Sequence, residues 1–380
     1  MDESDFKGSI TGEVRWRMNK NYCYFHPHDL PFDWLCSREV QYEMGRASTE
    51  LARLDGMLMA LGDESVRILT MNLTLKESTS SSSIEGTRST VDDVFRSEKE
   101  IEKDEIRSRD NQEIVNYRRA LIEGFSELPV GGDITTEMIR GLHRTLMESV
   151  RGADKSPGVF KTHQNAIGMA SDTLETAKMV PASPESVDHL LDNWVRYVNS
   201  DSVDTVEKLS MAHYQFEAIH PFRDGNGRVG RLLSLMILRR DGLLRYPILY
   251  LSGYLNTNRA EYIERLYRVS SEDSIDEWLS FLARGLFTQA KSTAVTVEAL
   301  LGYRTKILAM AENINESRTM ELLFRNPYVT VKDVCDSVGV SAPTAGRVLD
   351  RLCSAGILRE VTGRSRNRLY RSDDILGMLS

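Results

Sequence analysis

The stretch that most constrains the fold of this chain is a polar run, residues 220–231, which reads HPFRDGNGRVGR. Before the run, large side chains recur every three or four residues, at Val206, Leu209, His213, Phe216 and Ile219. After it, a second pattern of this kind contains Val229, Leu232, Leu233, Met236 and Leu238, and ends at Gly242. Because this spacing puts apolar side chains on one face of a helix, the sequence predicts two buried helices joined by a tight loop.

The second half of the run has the composition of an anion-binding helix N-terminus. Gly225 and Gly227 allow the backbone to come close to a ligand and to turn its N–H groups toward it. The first turn of a helix adds N–H donors without intrahelical partners and a partial positive charge. Arg228 and Arg231 are three residues apart, so their guanidinium groups share one side of the new helix and can reach phosphate oxygens.

The first half of the run supplies a base and a metal ligand. His220 is a general base available near neutral pH, and Asp224 offers the hard oxygen ligand that Mg²⁺ takes alongside substrate phosphates. Together with the phosphate site, these groups indicate transfer of a nucleotidyl or phosphoryl group to a nucleophile. The alternative is an ordinary Asn-Gly turn between two core helices, with an incidental histidine. That alternative leaves most of the residue identities at fixed spacing unexplained.

Residues 220–231 also match the motif His-Pro-Phe-x-Asp/Glu-Gly-Asn-Gly-Arg-x-x-Arg, so the chain resembles the Fic family, over about residues 30–290. The resemblance implies an AMP-transferase in which Mg-ATP is attacked at its α-phosphate and AMP is joined to a protein hydroxyl. It implies that His220 deprotonates the Ser, Thr or Tyr of the target and that Asp224 holds Mg²⁺. The implied nucleotide-binding residues are Phe222 as a core anchor, Gly225, Asn226, Gly227 and Arg228 at the phosphate site, and Arg231 at the γ-phosphate.

A serine-rich stretch, residues 73–87, precedes this region and by composition alone reads as a flexible linker. Its end, Ser81-x-x-x-Glu85-Gly86, resembles the inhibitory-helix motif of the Fic family, Ser/Thr-x-x-x-Glu-Gly/Asn. We therefore expect an inhibitory helix at about residues 70–86 that stops at Gly86. The resemblance implies that Glu85 pairs with Arg231 and occupies the place that the γ-phosphate needs. The alternative is a surface glutamate on a polar linker.

Residues 164–169 and 177–180 lack a helical period and predict the two strands of a β-hairpin. In Fic proteins such a hairpin, the flap, here about residues 160–181, covers the active site and pairs with the protein substrate, as an exposed strand edge can. The sequence departs from the family at Lys161, where arginine is frequent. The resemblance also suggests adenine contacts at Asn258 and Tyr262, although Tyr262 suits the core equally well.

Residues 316–380 predict a separate C-terminal domain. Residues 330–333 form a capping box, a second helix runs from about residue 341 to 356, and residues 357–361 and 368–371 read as two strands. This order resembles a winged helix-turn-helix domain with a basic wing, which contains Arg359, Arg364, Arg366, Arg368 and Arg371. Such a wing suits DNA phosphates, but a protein partner or a purely structural role is equally compatible with the fold.

The patterns together predict a mainly α-helical chain, with a Fic fold, which is a helical bundle with a β-hairpin flap, and a small C-terminal winged helix domain. Residues 1–30 look irregular. The expected divisions are an N-terminal helical region at 1–112, a Fic catalytic core at 113–290, a linker helix at 291–315 and the winged helix domain at 316–380.

Composition bounds the location and the partners. No apolar run is long enough to predict a transmembrane helix, and the N-terminus lacks the basic and apolar parts of a signal peptide. The 4 cysteines are scattered without metal or disulfide spacing. We therefore expect a cytoplasmic protein with no membrane partner. The net charge of −8 argues against a protein that coats nucleic acid, and the sequence leaves open whether the chain forms a homodimer.

Two alternative functions remain compatible with the sequence. One is a different reaction in the same pocket, either AMP removal, with Glu85 orienting a water, or transfer of another phosphate-containing group. The other is a transcription regulator that acts through the winged helix while the Fic region senses a nucleotide. Assays with labelled ATP and with AMP-modified protein separate the first from AMP transfer, and salt-dependent DNA binding tests the second.

Overall fold

The computed structural model describes residues 1–17, 22–100, 105–168 and 172–379. Over these ranges the chain is mainly α-helical, as the sequence predicts. The helices that precede the C-terminal domain are α1 (Arg38–Met59), α2 (Asp63–Ile84), α3 (Val91–Ser97), α4 (Glu105–Glu127), α5 (Thr136–Leu146), α6 (Val187–Val198), α7 (Thr205–Ile219), α8 (Asn226–Arg240), α9 (Leu251–Thr257), α10 (Arg259–Glu272) and α11 (Ile275–Leu308). None of the helices in these ranges combines the length and the apolarity that crossing a membrane requires.

Helices α7 and α8 pack against each other at the centre of the bundle. The sequence predicts a single apolar face for α7, but the structure buries nearly all of its residues. Two fully buried tryptophans bring neighbouring helices onto it. Trp194 of α6 and Trp278 of α11 donate their indole N–H groups to the carbonyls of Ala212 and Ser210, each at 2.8 Å. Since α7 is enclosed in this way, the point at which it ends, and with it the following loop, is fixed by the core.

Helix α2 contains most of the serine-rich stretch, so that stretch is not a linker. Ser78, Ser81 and Ser82 are buried, and their small side chains let α2 lie close against α4 and α9. The hydroxyl of Ser78 donates to the carbonyl of Thr74 at 2.6 Å, one turn earlier in the helix. Such bonds satisfy hydroxyl groups that burial removes from water. The helix begins earlier than the expected residue 70 because residues 63–69 continue the same apolar pattern.

Two buried polar side chains fasten α2 to the rest of the protein. Just before the midpoint of the helix, the amide of Asn72 donates to the carbonyl of Phe324 at 2.7 Å, in the C-terminal domain. At its middle, the carboxylate of Glu77 accepts hydrogen bonds from the backbone N–H of Ser252 at 2.8 Å and from the hydroxyl of Tyr117 at 3.2 Å. Burial raises the pKa of Glu77, although these hydrogen bonds oppose that shift.

The expectation that residues 1–30 are irregular is wrong. Strands β1 (Gly12–Arg17) and β2 (Tyr22–Pro27) form an antiparallel hairpin, with Val14 opposite Phe25. Polar and apolar residues alternate in β1 from Glu13 to Arg17, a strand signal that the sequence interpretation overlooked, whereas aromatic residues fill β2 without alternation. The missing signal is tertiary, because β2 packs against α7 and the backbone N–H of Phe25 donates to the carbonyl of Val180 at 2.8 Å.

The flap is less regular than the predicted hairpin. Among the described residues of this segment, one bridge pairs Ile167 with Met179, where the N–H of Ile167 donates to the carbonyl of Met179 at 2.9 Å. Met169, the last residue of the first predicted strand, lies outside the described residues. Within the described residues, the two predicted flap strands do not pair beyond this bridge, because their backbone and side chains form hydrogen bonds with other parts of the chain. Val180 pairs with β2, and Gln164 donates from its side chain to the carbonyl of Pro181 at 2.7 Å.

Helix α11 is 34 residues long and connects the bundle to the C-terminal domain. The expected core helix before residue 290 and the expected linker helix after it are therefore one continuous helix as far as residue 308. The elements of the C-terminal domain are α12 (Ile314–Leu323), β3 (Tyr328–Thr330), α13 (Val331–Val334), α14 (Ala342–Ser354), β4 (Arg359–Glu360), β5 (Leu369–Arg371) and α15 (Asp373–Leu379). Its three strands form one antiparallel sheet in the order β3-β5-β4.

The C-terminal domain rests on the segment that follows α2. Lys99 forms an ion pair with Asp333 at 2.9 Å, and the hydroxyl of Tyr328 donates to Asp92 at 2.6 Å. The domain is thus in contact with the N-terminal region as well as attached through α11. Asp92 and Lys99 both belong to the charged stretch that follows residue 90.

Candidate active site

The loop that carries His220 begins where α7 ends. His220 adopts a left-handed backbone conformation, with φ of 50°, and its N–H donates to the carbonyl of Phe216 at 2.9 Å. This geometry closes the helix and turns the chain sharply. The His220 side chain is 20% exposed, and its Nδ1 lies 3.6 Å from Oε2 of Glu217, one turn earlier in α7. A histidine is thus presented at the rim of the core with a carboxylate beside it.

Asn226 holds the loop from inside. Its side chain accepts a hydrogen bond from the backbone N–H of Phe222 and donates one to the carbonyl of the same residue, both at 2.8 Å. Asn226 is buried, and so are the two backbone groups that it satisfies. No other side chain of similar size offers a donor and an acceptor in this arrangement, which explains an asparagine between the two glycines.

Lys161 and Asn165, both in the flap, hold the loop from outside. The amide of Asn165 donates to the carbonyls of His220 at 3.2 Å and Phe222 at 2.9 Å. The ammonium group of Lys161 donates to the carbonyl of Ile219 at 3.0 Å and to Oδ1 of Asn165 at 2.8 Å. Burial lowers the pKa of Lys161 to about 7. The lysine that departs from the family pattern therefore helps the flap to hold the loop that carries His220.

His143 of α5 packs beneath the loop, as a structural histidine would. Its ring stacks on that of Phe222 with centroids 3.7 Å apart. The N–H of Gly158 donates to Nδ1 at 2.8 Å, so the ring proton is on Nε2, which donates to the carbonyl of Asp224 at 2.9 Å. Burial lowers the pKa of His143 to about 4, which keeps the ring neutral. Phe222 is fully buried, in line with a core anchor.

The first turn of α8 carries the features of an anion site. Gly225 precedes it with φ of 78°, and a Cβ there would lie 2.9 Å from the sulfur of Met147. Arg228 is buried, and within the described structure its Nε and Nη1 have no hydrogen-bond partner, although Nη1 lies 3.8 Å from Glu113. Buried guanidinium nitrogens without acceptors are costly unless a ligand supplies those acceptors.

Glu85 brings its carboxylate to this turn. Its Oε1 lies 2.7 Å from Nη2 of Arg231, and a Cβ added at Gly227 would collide with it. Ser81 also binds Arg231, since its hydroxyl accepts from Nε and its carbonyl accepts from Nη2, each at 2.9 Å. Gly86 follows with φ of 97°, a conformation that favours glycine. All three residues of the resembling motif therefore contribute to this end of α2.

Arg231 is 2% exposed. Burial alone would lower its pKa, but the carboxylate of Glu85 outweighs burial, so the pKa of Arg231 is raised. An anion beside this arginine satisfies a positive charge that the core cannot otherwise accommodate. In the structure that anion is the side chain of Glu85.

Asp224 lies on the other side of the α8 N-terminus. Its Oδ2 accepts from the ammonium group of Lys155 at 2.8 Å. Burial would raise the pKa of Asp224, but Lys155 overrides burial and the pKa is lowered, so the carboxylate is ionised. Among the described residues, no group of three or more His, Cys, Asp or Glu side chains could hold a metal ion by itself. A single carboxylate fits Mg²⁺, which takes few protein ligands and completes its coordination with phosphates and water.

The structure places the two predicted adenine-contact residues differently. Asn258 lies at the junction of α9 and α10, half-buried, and donates to the carbonyl of Tyr254 at 2.9 Å. Tyr262 is 3% exposed and its hydroxyl is 2.8 Å from Nε2 of His213. Tyr262 is therefore a core residue behind Arg231, and only Asn258 has surface to offer a ligand. Their roles toward adenine stay predictions.

The sequence interpretation missed one polar residue at this site. Glu217 lies on α7, one turn before His220, in a helix that is otherwise almost wholly buried. A carboxylate in a largely buried helix, one turn from a proposed base, is a signal of a functional residue. A search for apolar periodicity treats such a residue only as an interruption of the pattern.

Three family models match the chain. The Fic/DOC family model matches residues 133–238 and the Fic/DOC family N-terminal model matches residues 42–126, together about half of the chain. The chain belongs to the Fic/DOC family. The motif at 220–231 lies within the first match and residues 81–86 lie within the second. A third model, the C-terminal domain of protein adenylyltransferase SoFic-like proteins, matches residues 303–374.

Named relatives are similar over about a third of the chain. A probable protein adenylyltransferase from Aquifex aeolicus (strain VF5) is 39% identical over 125 residues, which are 32% of this chain and 35% of that protein. Protein adenylyltransferase fic-1 from Caenorhabditis elegans is 30% identical over 142 residues, 34% of this chain and 27% of that protein. The chain thus spans about a third, or less, of the length of these Fic/DOC relatives.

Solved Fic structures share the fold over most of the chain. A Fic family protein from Desulfovibrio desulfuricans G20 aligns with a TM-score of 0.58 at 17% identity, over 89% of this chain and 97% of that one. A Fic domain containing signaling protein from Bacteroides thetaiotaomicron VPI-5482 aligns with a TM-score of 0.54 at 21% identity, over 68% and 97% of the two chains. At these identities the likeness shows the fold.

Proposed function

We propose that the chain is a protein adenylyltransferase, which transfers AMP from Mg-ATP to a Ser, Thr or Tyr hydroxyl of a protein, itself included, and that Glu85 inhibits it. The observation that carries this proposal is the pair of arginines at the start of α8. Arg231 is neutralised by a carboxylate, and Arg228 has buried nitrogens without acceptors in the described structure. A triphosphate supplies acceptors for both. The names of the Fic/DOC relatives support the same activity.

In the proposed reaction, His220 accepts the proton of the target hydroxyl. The hydroxyl oxygen then forms a bond to the α-phosphorus, and the bond from that phosphorus to the bridging oxygen breaks, so pyrophosphate leaves. The backbone N–H groups of Asn226 and Gly227 and the Arg228 guanidinium stabilise the negative charge on the phosphates. Gly225, whose own N–H donates to Oδ1 of Asp224 at 2.7 Å, lets the backbone come close to them. Asp224 would hold Mg²⁺, which supplies charge neutralisation at the phosphates when bound.

Inhibition follows from competition for one arginine. The Glu85 carboxylate and a γ-phosphate both need the Nη2 of Arg231, which also donates to the Ser81 carbonyl. While Glu85 holds that position, we infer that ATP binds with its α-phosphate misaligned for attack. The buried serines of α2 keep the helix end against α8, so the inhibitory carboxylate is pre-positioned rather than recruited.

We further propose that a protein substrate docks on the flap, about residues 160–181, and that the divisions predicted from sequence describe the functional regions. Both proposals rest on the family resemblance, and the docking site rests also on the position of the flap. Lys161 and Asn165 extend from the flap to the catalytic loop, so a strand that pairs with the flap lies near His220.

The ion pairs of the basic wing weigh against the alternative function, a DNA-binding regulator. Arg359 and Arg371 both bind Asp373, at 2.7 and 2.5 Å, and Arg364 binds Glu100 at 2.8 Å. These carboxylates neutralise charge that phosphates would need. We therefore propose that the C-terminal domain serves protein contacts, internal ones included. Salt-dependent binding to duplex DNA at low ionic strength would contradict this.

The proposal is tested with the Glu85→Gly protein, incubated with Mg²⁺ and ATP labelled at the α-phosphate. We expect covalent label on the protein and a mass increase of one AMP, located by mass spectrometry. His220→Ala in the same background should remove both. A parallel incubation with AMP-modified protein measures removal. Label that persists without His220, or removal without any addition, would contradict the proposal.

A further inference from the structure

The residue that the proposed mechanism does not use is Glu217. It precedes His220 by one helical turn, and its Oε2 lies 3.6 Å from the ring nitrogen Nδ1. The carboxylate is 14% exposed. Its other oxygen, Oε1, lies against Gly230 of α8, where a Cβ would come within 2.5 Å of it. In the described part of the chain, neither Oε1 of Glu217 nor Nδ1 of His220 has a hydrogen-bond partner.

Burying a carboxylate is costly unless its charge is used or compensated. Burial would raise the pKa of Glu217, but the neighbouring His220 and Arg231 help to lower it, so the group is ionised near neutral pH. The charged and titratable groups that face it are His220 and His213 from α7, Arg231 from α8 and Tyr262 from α10.

Three of these four neighbours are committed elsewhere. Arg231 is bound by Ser81 and Glu85. His213 is hydrogen-bonded through both nitrogens, to Tyr262 at 2.8 Å and to the hydroxyl of Ser234 at 2.9 Å. Burial lowers the pKa of His213 to about 4, so it carries no charge to compensate Glu217 at neutral pH. The imidazole of His220 is the neighbour whose nitrogen is available.

We propose that Glu217 is a positioning residue for His220. By accepting a hydrogen bond from Nδ1–H, it fixes the tautomer in which the lone pair of Nε2 faces the acceptor hydroxyl, and it balances the positive charge of the ring once that proton has moved. This inference rests on the proposed AMP transfer. During AMP transfer the proton of the hydroxyl moves to Nε2 of His220. The step involves no oxidation or reduction, and the carboxylate of Glu217 stays ionised throughout.

The separation of 3.6 Å between Oε2 of Glu217 and Nδ1 of His220 is compatible with this role. This separation is a few tenths of an ångström longer than a hydrogen bond, and a small rotation of the His220 side chain would close it. Catalytic hydrogen bonds commonly shorten when substrate binds. Glycine at position 230 is the structural counterpart, because any larger residue would push the carboxylate away from this position.

The test is Glu217→Gln, made in the Glu85→Gly background so that turnover can be measured. Glutamine keeps the size of the side chain and removes its charge. We expect kcat for AMP transfer to fall roughly 10- to 100-fold while the KM for ATP stays unchanged. The acid limb of the rate–pH profile should move to lower pH, because an ionised carboxylate favours the protonated form of a ring beside it. Histidine NMR of the nucleotide-free protein should show the protonation midpoint of His220 moving the same way.

The control is Glu207→Gln, which removes a half-buried carboxylate from the start of the same helix, and which should change neither kcat nor the profile. A second variant, Glu217→Asp, keeps the charge and shortens the side chain. If Glu217 only packs, Gln should be tolerated better than Asp and neither should shift the profile. If it positions His220, the profile shifts in Gln and not in Asp.

The outcomes separate the two proposals. If His220→Ala still labels protein, the proposed function fails and this inference fails with it. If His220→Ala is inactive while Glu217→Gln has wild-type kcat, profile and NMR midpoint, AMP transfer stands and the role of Glu217 is overturned. If Glu217→Gln does not fold, the ring tautomer of His220, read by nitrogen-15 NMR in the Glu85→Gly protein, decides, since a neutral ring protonated at Nδ1 supports the role and one protonated at Nε2 overturns it.

Discussion

Replacing Glu85 with glycine should activate the protein, by an amount that the Arg231 contact sets. The change removes the carboxylate that lies 2.7 Å from Nη2 of Arg231 and leaves the two Ser81 contacts in place. Arg231 then keeps its position but loses its counter-ion. A γ-phosphate can replace that ion without first displacing a side chain.

The magnitude follows from the burial of the two partners. A hydrogen bond to a charged group contributes about 1.5–3 kcal/mol. Glu85 is 39% exposed while Arg231 is 2% exposed, so solvent screens one partner and the lower part of that range applies. A loss of about 1.5–2 kcal/mol from the inhibited state corresponds to a rise of roughly 10- to 30-fold in the rate of AMP transfer.

The assay is the initial rate of self-labelling with α-phosphate-labelled ATP at saturating Mg²⁺. Glu64→Gln is the matched control, because Glu64 lies on the same helix, is exposed and pairs with Arg67 rather than Arg231. We expect no activation there. Thermal unfolding with and without Mg-ATP gives a second readout, and the nucleotide should stabilise Glu85→Gly more than the wild-type protein. Equal rates, or equal activation in the control, would refute the reasoning.

Three further predictions follow from contacts in the same region. Asp224→Ala should lower activity and weaken Mg²⁺ binding, so that half-maximal activity needs a higher Mg²⁺ concentration, and a variant with an unchanged Mg²⁺ titration would remove Asp224 as the ligand. Asn226→Ala leaves the buried N–H of Phe222 without a partner, while the Phe222 carbonyl keeps its hydrogen bond from Asn165, so the free energy of unfolding in urea should fall by about 1–3 kcal/mol; a loss well below about 1 kcal/mol would mean that water replaces the side chain. His213 has its pKa lowered to about 4 from 6.5, so the unfolded chain binds its proton first and stability should fall as pH falls from 6.5 to 4; urea unfolding of His213→Gln across that window should show a smaller fall.

The catalytic loop could be predicted from sequence because its constraints are local. Asn226 binds Phe222, four residues away, and Gly225 needs its positive φ for the turn itself. The pairing of Glu85 with Arg231 was accessible through the resemblance to a family. From the residues alone, that contact joins positions 146 apart in the chain and has no local signature.

The features that the sequence did not predict depend on contacts between distant parts of the chain. Strand β2 is stabilised by pairing with Val180 and by packing on α7, so its own residues give little sign of it, although the alternation in β1 was available in the sequence. The flap strands were predicted from a missing helical period, but Gln164 and Val180 bond to other parts of the chain instead. Glu217 was overlooked because a helical pattern records only whether a residue is apolar, and its importance lies in the ring beside it.

Asn72 gives α2 a dependence on the other end of the chain. About 20 Å of helix separate this residue from Glu85, and its buried amide has the Phe324 carbonyl as an acceptor. A shortened chain that ends before α12 would leave that amide with only the Ile68 carbonyl of its own helix and would remove this anchor of α2. Activity measured on such a fragment would then reflect a helix whose far anchor has been cut, and would overstate how readily the intact protein releases Arg231.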